Sequence, residues 1–173
     1  TDDPGLGKTP QSIRAAELPC QVVAPRYLCG QWVDAIRREH TNAVIAYADG
    51  TRKERDAILS KRADWYIVNY EMLATYDMPT EIRTYINDES HHLRNRGATQ
   101  SKAARLVENV NPTSRIYHLS ATPMWKSVAD IWMQCHILYP QVFTSYHTFV
   151  KLYCNTLQGP YGPRIMSIKR SMR

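Results

Sequence analysis

The chain of 173 residues contains no apolar run close to the roughly 20 residues that a membrane-spanning helix requires, which sets aside a helical membrane protein. Its first residues lack the basic, then apolar, then small-residue order of a secretory signal, so a secreted protein is not expected. Cysteine is sparse. Cys20, Cys29, Cys135 and Cys154 form no C-x-x-C pair, and a chain of this length buries a core without covalent staples. Reduced thiols in an intracellular compartment are therefore expected, either nuclear or the cytoplasm of a bacterial or phage-infected cell. Cys135-His136 and His91-His92 lack the second closely spaced ligand pair of a structural zinc site. No internal repeat or low-complexity tract is present, which excludes solenoids, propellers and disordered linkers.

What the sequence does contain is 43% apolar residues, enough for a folded domain, and a net charge of +6. That charge suits a polyanionic partner without requiring one. Short runs rich in Val, Ile and Tyr alternate with longer amphipathic ones. Strands are expected over 20–24, 43–47, 65–69, 85–88 and 115–120, and helices over 8–17, 28–39, 52–61, 101–110 and 128–138. In the fourth helix Ala103, Ala104, Val107 and Val110 share one face. Such alternation predicts an α/β fold with a mostly parallel sheet covered by helices on both faces. Ligands then bind beyond the carboxyl ends of the strands.

Two motifs stand in those loops. Gly5-Leu6-Gly7-Lys8-Thr9-Pro10 has the chemistry of a phosphate loop. Glycines turn backbone N–H groups toward phosphate oxygens, Lys8 adds a point charge, and the Thr9 hydroxyl is a magnesium ligand. The usual earlier glycine is replaced by Asp2. Pro10 falls in the first helical turn, where its missing N–H has no intrahelical partner to lose. About eighty residues later Asp88-Glu89 closes a candidate strand with adjacent carboxylates. Such a pair serves a hydrolytic ATPase, with Asp88 assigned to magnesium and Glu89 to the base that activates water.

The blocks DDPGLGKTPQ (2–11), DESHHLRN (88–95) and LSATPM (119–124) resemble motifs I, II and III of superfamily-2 helicases, closest to the SWI/SNF-type branch of DNA translocases. That branch carries D-E-M-G-L-G-K-T, which accounts for Asp2. Val23-Ala24-Pro25 with Gln31-Trp32 resembles its motif Ia, and Ile67 to Glu71 its motif Ib. The segment 149–154 is faintly similar to the annealing-helicase subgroup. The resemblance implies a RecA-like lobe, with ATP and Mg2+ as cofactors and duplex DNA as partner. It implies that His91, Ser120, Ala121 and Thr122 couple nucleotide state to DNA grip, and that Pro25, Trp32, Asn69 and Arg94 lie near the DNA. It also implies a second RecA-like lobe supplying arginine to the γ-phosphate. Residues 1–155 would form the first lobe without its opening strand, and 156–173 a tail or the segment leading to the second. The chain is accordingly expected to be part of a longer motor and to hydrolyse ATP slowly by itself.

Some positions depart from the pattern. Pro4 stands where the branch has methionine and Pro10 where it has isoleucine. Arg83, Thr84 and Asn87 interrupt the strand before Asp88, which predicts a strand less buried than its neighbours. Two further readings stay open at this point: a P-loop ATPase or kinase that never touches nucleic acid, and a non-catalytic remnant that only binds nucleotide or DNA.

Overall fold

The computed structural model describes residues 7–75, 79, 81–110, 113–159 and 162–168. Its first part alternates α1 (Lys8–Ala15), β1 (Cys20–Ala24), α2 (Arg26–Glu39), β2 (Ile45–Tyr47), α3 (Arg52–Leu59), β3 (Trp65–Asn69) and β4 (Thr84–Asp88). A 3-10 turn (Ser90–Arg94), α4 (Thr99–Val110) and β5 (Arg115–Leu119) follow. Then come a second 3-10 turn (Val128–Ile131), α5 (Trp132–Leu138) and α6 (Tyr146–Tyr153). The strands β6 (Cys154–Gly159) and β7 (Gly162–Ile168) end the described chain as an antiparallel pair.

Strands β1 to β5 form one sheet in the order β2-β3-β1-β4-β5, parallel throughout. Alternation along the strands sorts the core into two halves. Val22 and Ala24 of β1, Ile67 of β3 and Ile86 of β4 pack with Ile13 of α1 and with Cys29, Trp32 and Ile36 of α2. Val23, Val68 and Tyr85 point the other way, against Leu59 of α3, Ala104 of α4, Trp132 and Met133 of α5, and Phe149 of α6. A helix layer thus covers each face, which is why β1 is buried along its whole length and β3 along all but Asn69, with Gln21 as a buried polar exception in β1. Ala103 and Ala104 sit on the inward side of α4, while the side chains of Val107 and Val110 lie outside the described residues.

The expectation for β4 is overturned. Thr84, Tyr85, Ile86 and Asn87 are all buried, because β4 pairs on both edges, with β1 and with β5. Two of its polar side chains are hydrogen-bonded, while the buried Tyr85 hydroxyl has no partner among the described residues. Thr84 Oγ1 accepts the Glu17 N–H at 2.9 Å, and Asn87 Nδ2 meets His118 Nδ1 at 3.3 Å. The most exposed strand of this sheet is β5, where Arg115 is exposed and residues 116–119 are half-buried.

The α3 helix is set by a reciprocal cap. Thr51 Oγ1 accepts the Glu54 N–H at 3.4 Å, and the Glu54 carboxylate accepts the Thr51 N–H at 2.7 Å. Replacing Thr51 with alanine removes one half of this pair and should cost about 1 kcal/mol, read as a lower midpoint in urea unfolding of the chain. An unchanged midpoint would mean that packing alone places α3.

Candidate nucleotide site

The carboxyl ends of β4 and β5, together with helix α2, border the start of α1. Gly7 is the N-cap of α1, with φ 73° and ψ 31°, a left-handed conformation that glycine adopts without a Cβ penalty. Lys8 and Thr9 open the helix, and Ser12 Oγ donates to the Thr9 carbonyl at 2.9 Å. The first-turn N–H groups have no intrahelical partners, and the helix dipole makes this end favourable for an anion. Pro10 continues the first turn, and the Gln11 N–H bonds the Gly7 carbonyl at 3.1 Å. Gly5 and Leu6, the rest of the expected phosphate cradle, lie outside the described residues.

Asp88 is the last residue of β4 and is held at three points. Its Oδ1 accepts the Glu89 N–H at 3.0 Å, its Oδ2 accepts the Trp32 indole N–H at 2.8 Å, and its carbonyl accepts the Tyr70 hydroxyl at 2.7 Å. Burial raises the Asp88 carboxyl above the ordinary carboxylate value. The bonds from Trp32 and Glu89 and the charge of Lys8 pull it back toward ionisation, while the neighbouring Glu89 charge opposes them. The Tyr70 phenol is pushed well up by burial, and by Asp88 and Glu89 beside it, so it acts as a neutral donor.

Glu89 carries a left-handed backbone, φ 49° and ψ 49°, and is the only non-glycine residue with positive φ among the described residues. This turn is what points adjacent carboxylates in different directions at a strand end. The Glu89 Oε2 lies 3.1 Å from His91 Nδ1, and the same nitrogen lies 3.3 Å from Ser120 Oγ. Ser120 Oγ in turn accepts the Thr122 N–H at 3.2 Å. A continuous polar chain therefore runs from the acidic motif to the loop after β5. Beneath it Ser90 Oγ donates to Gln134 Oε1 at 3.0 Å, tying the motif to α5. His92 stacks on both His91 and Tyr70. Burial, then the His91 charge, lowers its pKa.

Two clefts flank the start of α1. One, about 410 Å³, lies between α1 and α2 and is bordered by Thr9, Leu28, Trp32 and Asp88. The other, about 320 Å³, lies between α1 and β5 and is bordered by Lys8, Gln11, His118 and Ser120. A hydroxyl and a carboxylate on one cleft, with an ammonium beside them, suit a hydrated divalent cation carrying phosphate.

The expected coupling residues His91, Ser120 and Thr122 are brought together here, and Ala121 lies between the last two, half-buried. The expected DNA residues divide. Arg94 is exposed, its guanidinium 5.8 Å from the Trp125 ring centre. Asn69 is half-buried, and its Oδ1 accepts the Met72 N–H at 3.1 Å. Pro25 is buried as the N-cap of α2, and Trp32 is 2% exposed, so neither offers a surface to a strand. Sequence reasoning overlooked Tyr70 and Gln134. For Tyr70 a signal existed, a tyrosine one residue beyond a buried strand. For Gln134 there was none.

Comparison with known proteins bears on the family and the fold. The model of the SNF2-related domain matches residues 1–159. The SWI/SNF-related matrix-associated actin-dependent regulator of chromatin subfamily A-like protein 1 of Xenopus tropicalis is 30% identical over 93% of this chain and 17% of its own length. The DNA annealing helicase and endonuclease ZRANB3 of Mus musculus is 29% identical over 94% of this chain and 16% of its own. This chain thus spans about a sixth of the curated relatives it matches. Among solved structures, the SWI2/SNF2 ATPase core of Sulfolobus solfataricus, in complex with double-stranded DNA, shares the fold at a TM-score of 0.70 and 22% identity. That match covers 88% of this chain and 33% of that one. The chain belongs to the SNF2-related domain family, as a superfamily-2, SWI/SNF-type ATPase lobe with a RecA-like α/β fold.

Proposed function

We propose that this lobe binds ATP with magnesium and hydrolyses it as one half of a DNA-dependent translocase. The carrying observation is the His91 Nδ1 bridge, which joins the Glu89 carboxylate to Ser120 and so links the hydrolytic motif to the loop after β5. In this reading Gly5, Leu6, Gly7, Lys8, Thr9 and Pro10 form the phosphate cradle. Thr9 and Asp88 hold the magnesium, which, when bound, neutralises charge on the phosphates. Lys8 places its ammonium on the phosphate oxygens. Glu89 takes the proton of the attacking water. His91, Ser120, Ala121 and Thr122 report the state of the γ-phosphate to the rest of the motor.

Residues 1–155 serve as this lobe, and 156–173 lead toward a second RecA-like lobe. Duplex DNA is the partner proposed, in a nuclear or cytoplasmic setting. The support is the family, whose relatives include a protein named as a DNA annealing helicase, together with the net charge of +6. Exposed Arg94 is the backbone contact retained from the sequence reading, with Asn69 at the end of β3 as a second. Pro25 and Trp32 contribute through the position of α2 rather than by touching a strand.

The test is ATP hydrolysis by the full-length protein with and without duplex DNA, beside a Lys8→Ala variant. Turnover should rise on adding DNA and vanish in the variant. Turnover indifferent to DNA would replace this reading with a nucleic-acid-independent ATPase, and none at all would leave a module that only binds.

A further inference from the structure

Two tryptophans, Trp32 and Trp65, lie in the same half of the core, 2% and 0% exposed, yet their indole N–H groups differ. Among the described residues the Trp65 Nε1 has no hydrogen-bond partner, and Trp65 serves as a packing residue. The Trp32 Nε1 donates at 2.8 Å to Oδ2 of Asp88, which is 56 residues away in sequence. A buried indole that spends its one polar atom on the carboxylate of the acidic motif does more than fill space.

We infer that Trp32 is a positioning residue for the hydrolytic site: its indole N–H fixes the orientation of the Asp88 carboxylate and thereby sets the magnesium requirement of the reaction. The inference rests on the assignment of Asp88 to the cation made above. A carboxylate has about four lone-pair sites. Two are taken by donors from different elements, the indole on Oδ2 and the Glu89 N–H on Oδ1. That pair of bonds defines the plane of the group and leaves its remaining lone pairs for a cation's waters. The terminal torsion of aspartate is otherwise broad, so one donor alone leaves the plane free to turn. The carrier of the indole is itself fixed. Helix α2 follows β1 with one residue between, is capped at Pro25, and is tied to α1 by the two-point ion pair of Arg14 with Glu39 at 2.8 and 3.0 Å. Trp32 also borders the cleft shared by Thr9 and Asp88, so the ring wall and the carboxylate face one space.

The experiment uses the full-length protein with two matched variants, Trp32→Phe and Trp65→Phe. Each trims one indole to a phenyl ring in the same core half, and only the first removes a donor from Asp88. DNA-stimulated ATP turnover is followed as a function of Mg2+ concentration, and binding of a fluorescent ADP analogue is measured in EDTA. Trp32→Phe should raise the Mg2+ concentration for half-maximal turnover by about tenfold, the size expected for one hydrogen bond to an ionised group. Its metal-free nucleotide affinity should stay at the wild-type value, and Trp65→Phe should leave both quantities at wild type. Equal Mg2+ curves for the two variants would overturn the inference and reduce Trp32 to packing. Persisting turnover in Lys8→Ala would instead overturn the ATPase reading itself, so the two failures are distinguishable. Should Trp32→Phe fail to fold, wild-type protein labelled with 5-fluorotryptophan decides. The Trp32 fluorine resonance must move when Mg2+ and nucleotide are added while that of Trp65 stays, and a static Trp32 signal overturns the inference.

Discussion

Glu89→Gln in the full-length protein should lower ATP turnover between about a hundredfold and ten-thousandfold, the range for loss of a general base, with nucleotide affinity held within a few-fold. The substitution is conservative in every respect but one. Glutamine has nearly the same volume and faces the same left-handed backbone at position 89. Its amide still faces His91 Nδ1, which stands 3.1 Å from the carboxylate, with an oxygen to accept from a protonated nitrogen and an NH2 to donate to a bare one, so the link to Ser120 survives. What disappears is an oxygen able to take a proton from water. The separation of turnover from binding is therefore the diagnostic, measured as single-turnover hydrolysis beside a nucleotide titration. If the variant turns over within tenfold of wild type, water is activated elsewhere and Glu89 serves only as the anchor of His91.

A second large effect concerns stability in acid. His118 lies on β5 opposite Asn87 of β4, and Asn87 Nδ2 donates to its Nδ1 at 3.3 Å. The residue as a whole is half-buried, but its Nε2 atom is enclosed. Burial lowers its pKa from 6.5 to about 4, against a smaller opposing pull from the Gln134 backbone. A proton on Nδ1 would also turn the acceptor of Asn87 into a second donor. In the unfolded chain the ring takes up its proton near 6.5, so between 6.5 and 4 the unfolded state binds more protons than the folded one. Stability is full above 6.5, falls as the pH drops through that window, and loses at most about 3 kcal/mol from this one ring. His92, lowered for the same reason, adds a loss of the same sign. Urea unfolding at pH 7 and pH 4.5 should show the decline in wild type and a shallower one in His118→Gln. Matching slopes in the two proteins would mean that the ring is protonated at no cost in the fold.

The sequence made the sheet legible where burial is two-sided. Cys20–Ala24 and Trp65–Asn69 appear with the boundaries expected, since each is a mainly apolar segment, with Gln21 and Asn69 as the exceptions, held between two helix layers. The strand β2 begins two residues later than expected because Val44 is 56% exposed and lies before the paired register. The helix expected over 128–138 is broken in two. The Asp130 carboxylate gathers the N–H groups of Trp125, Lys126 and Ser127 at 3.1, 2.7 and 3.1 Å, which tightens the entry into a 3-10 turn. The hairpin of β6 and β7 went unread because Leu157 and Met166 are exposed, and only Cys154 and Ile165 among its described side chains pack inward, too few to show alternation. At the site, Lys8, Asp88 and Glu89 were visible as local strings. The bond from Trp32 to Asp88 was not legible, because the two are distant in sequence and only the fold brings α2 over the end of β4.

The backbone of Glu89 also constrains how this lobe can change. A left-handed residue other than glycine stores roughly 1–3 kcal/mol that the surrounding structure must hold in place. A search that rewarded heat tolerance alone would replace Glu89 with glycine early, for the substitution relaxes the turn and strengthens the lobe. Thermal robustness and hydrolysis thus pull in opposite directions at this one residue, and a hardened version of the lobe has to find its gains elsewhere, at caps such as Thr51 or in the loops away from β4.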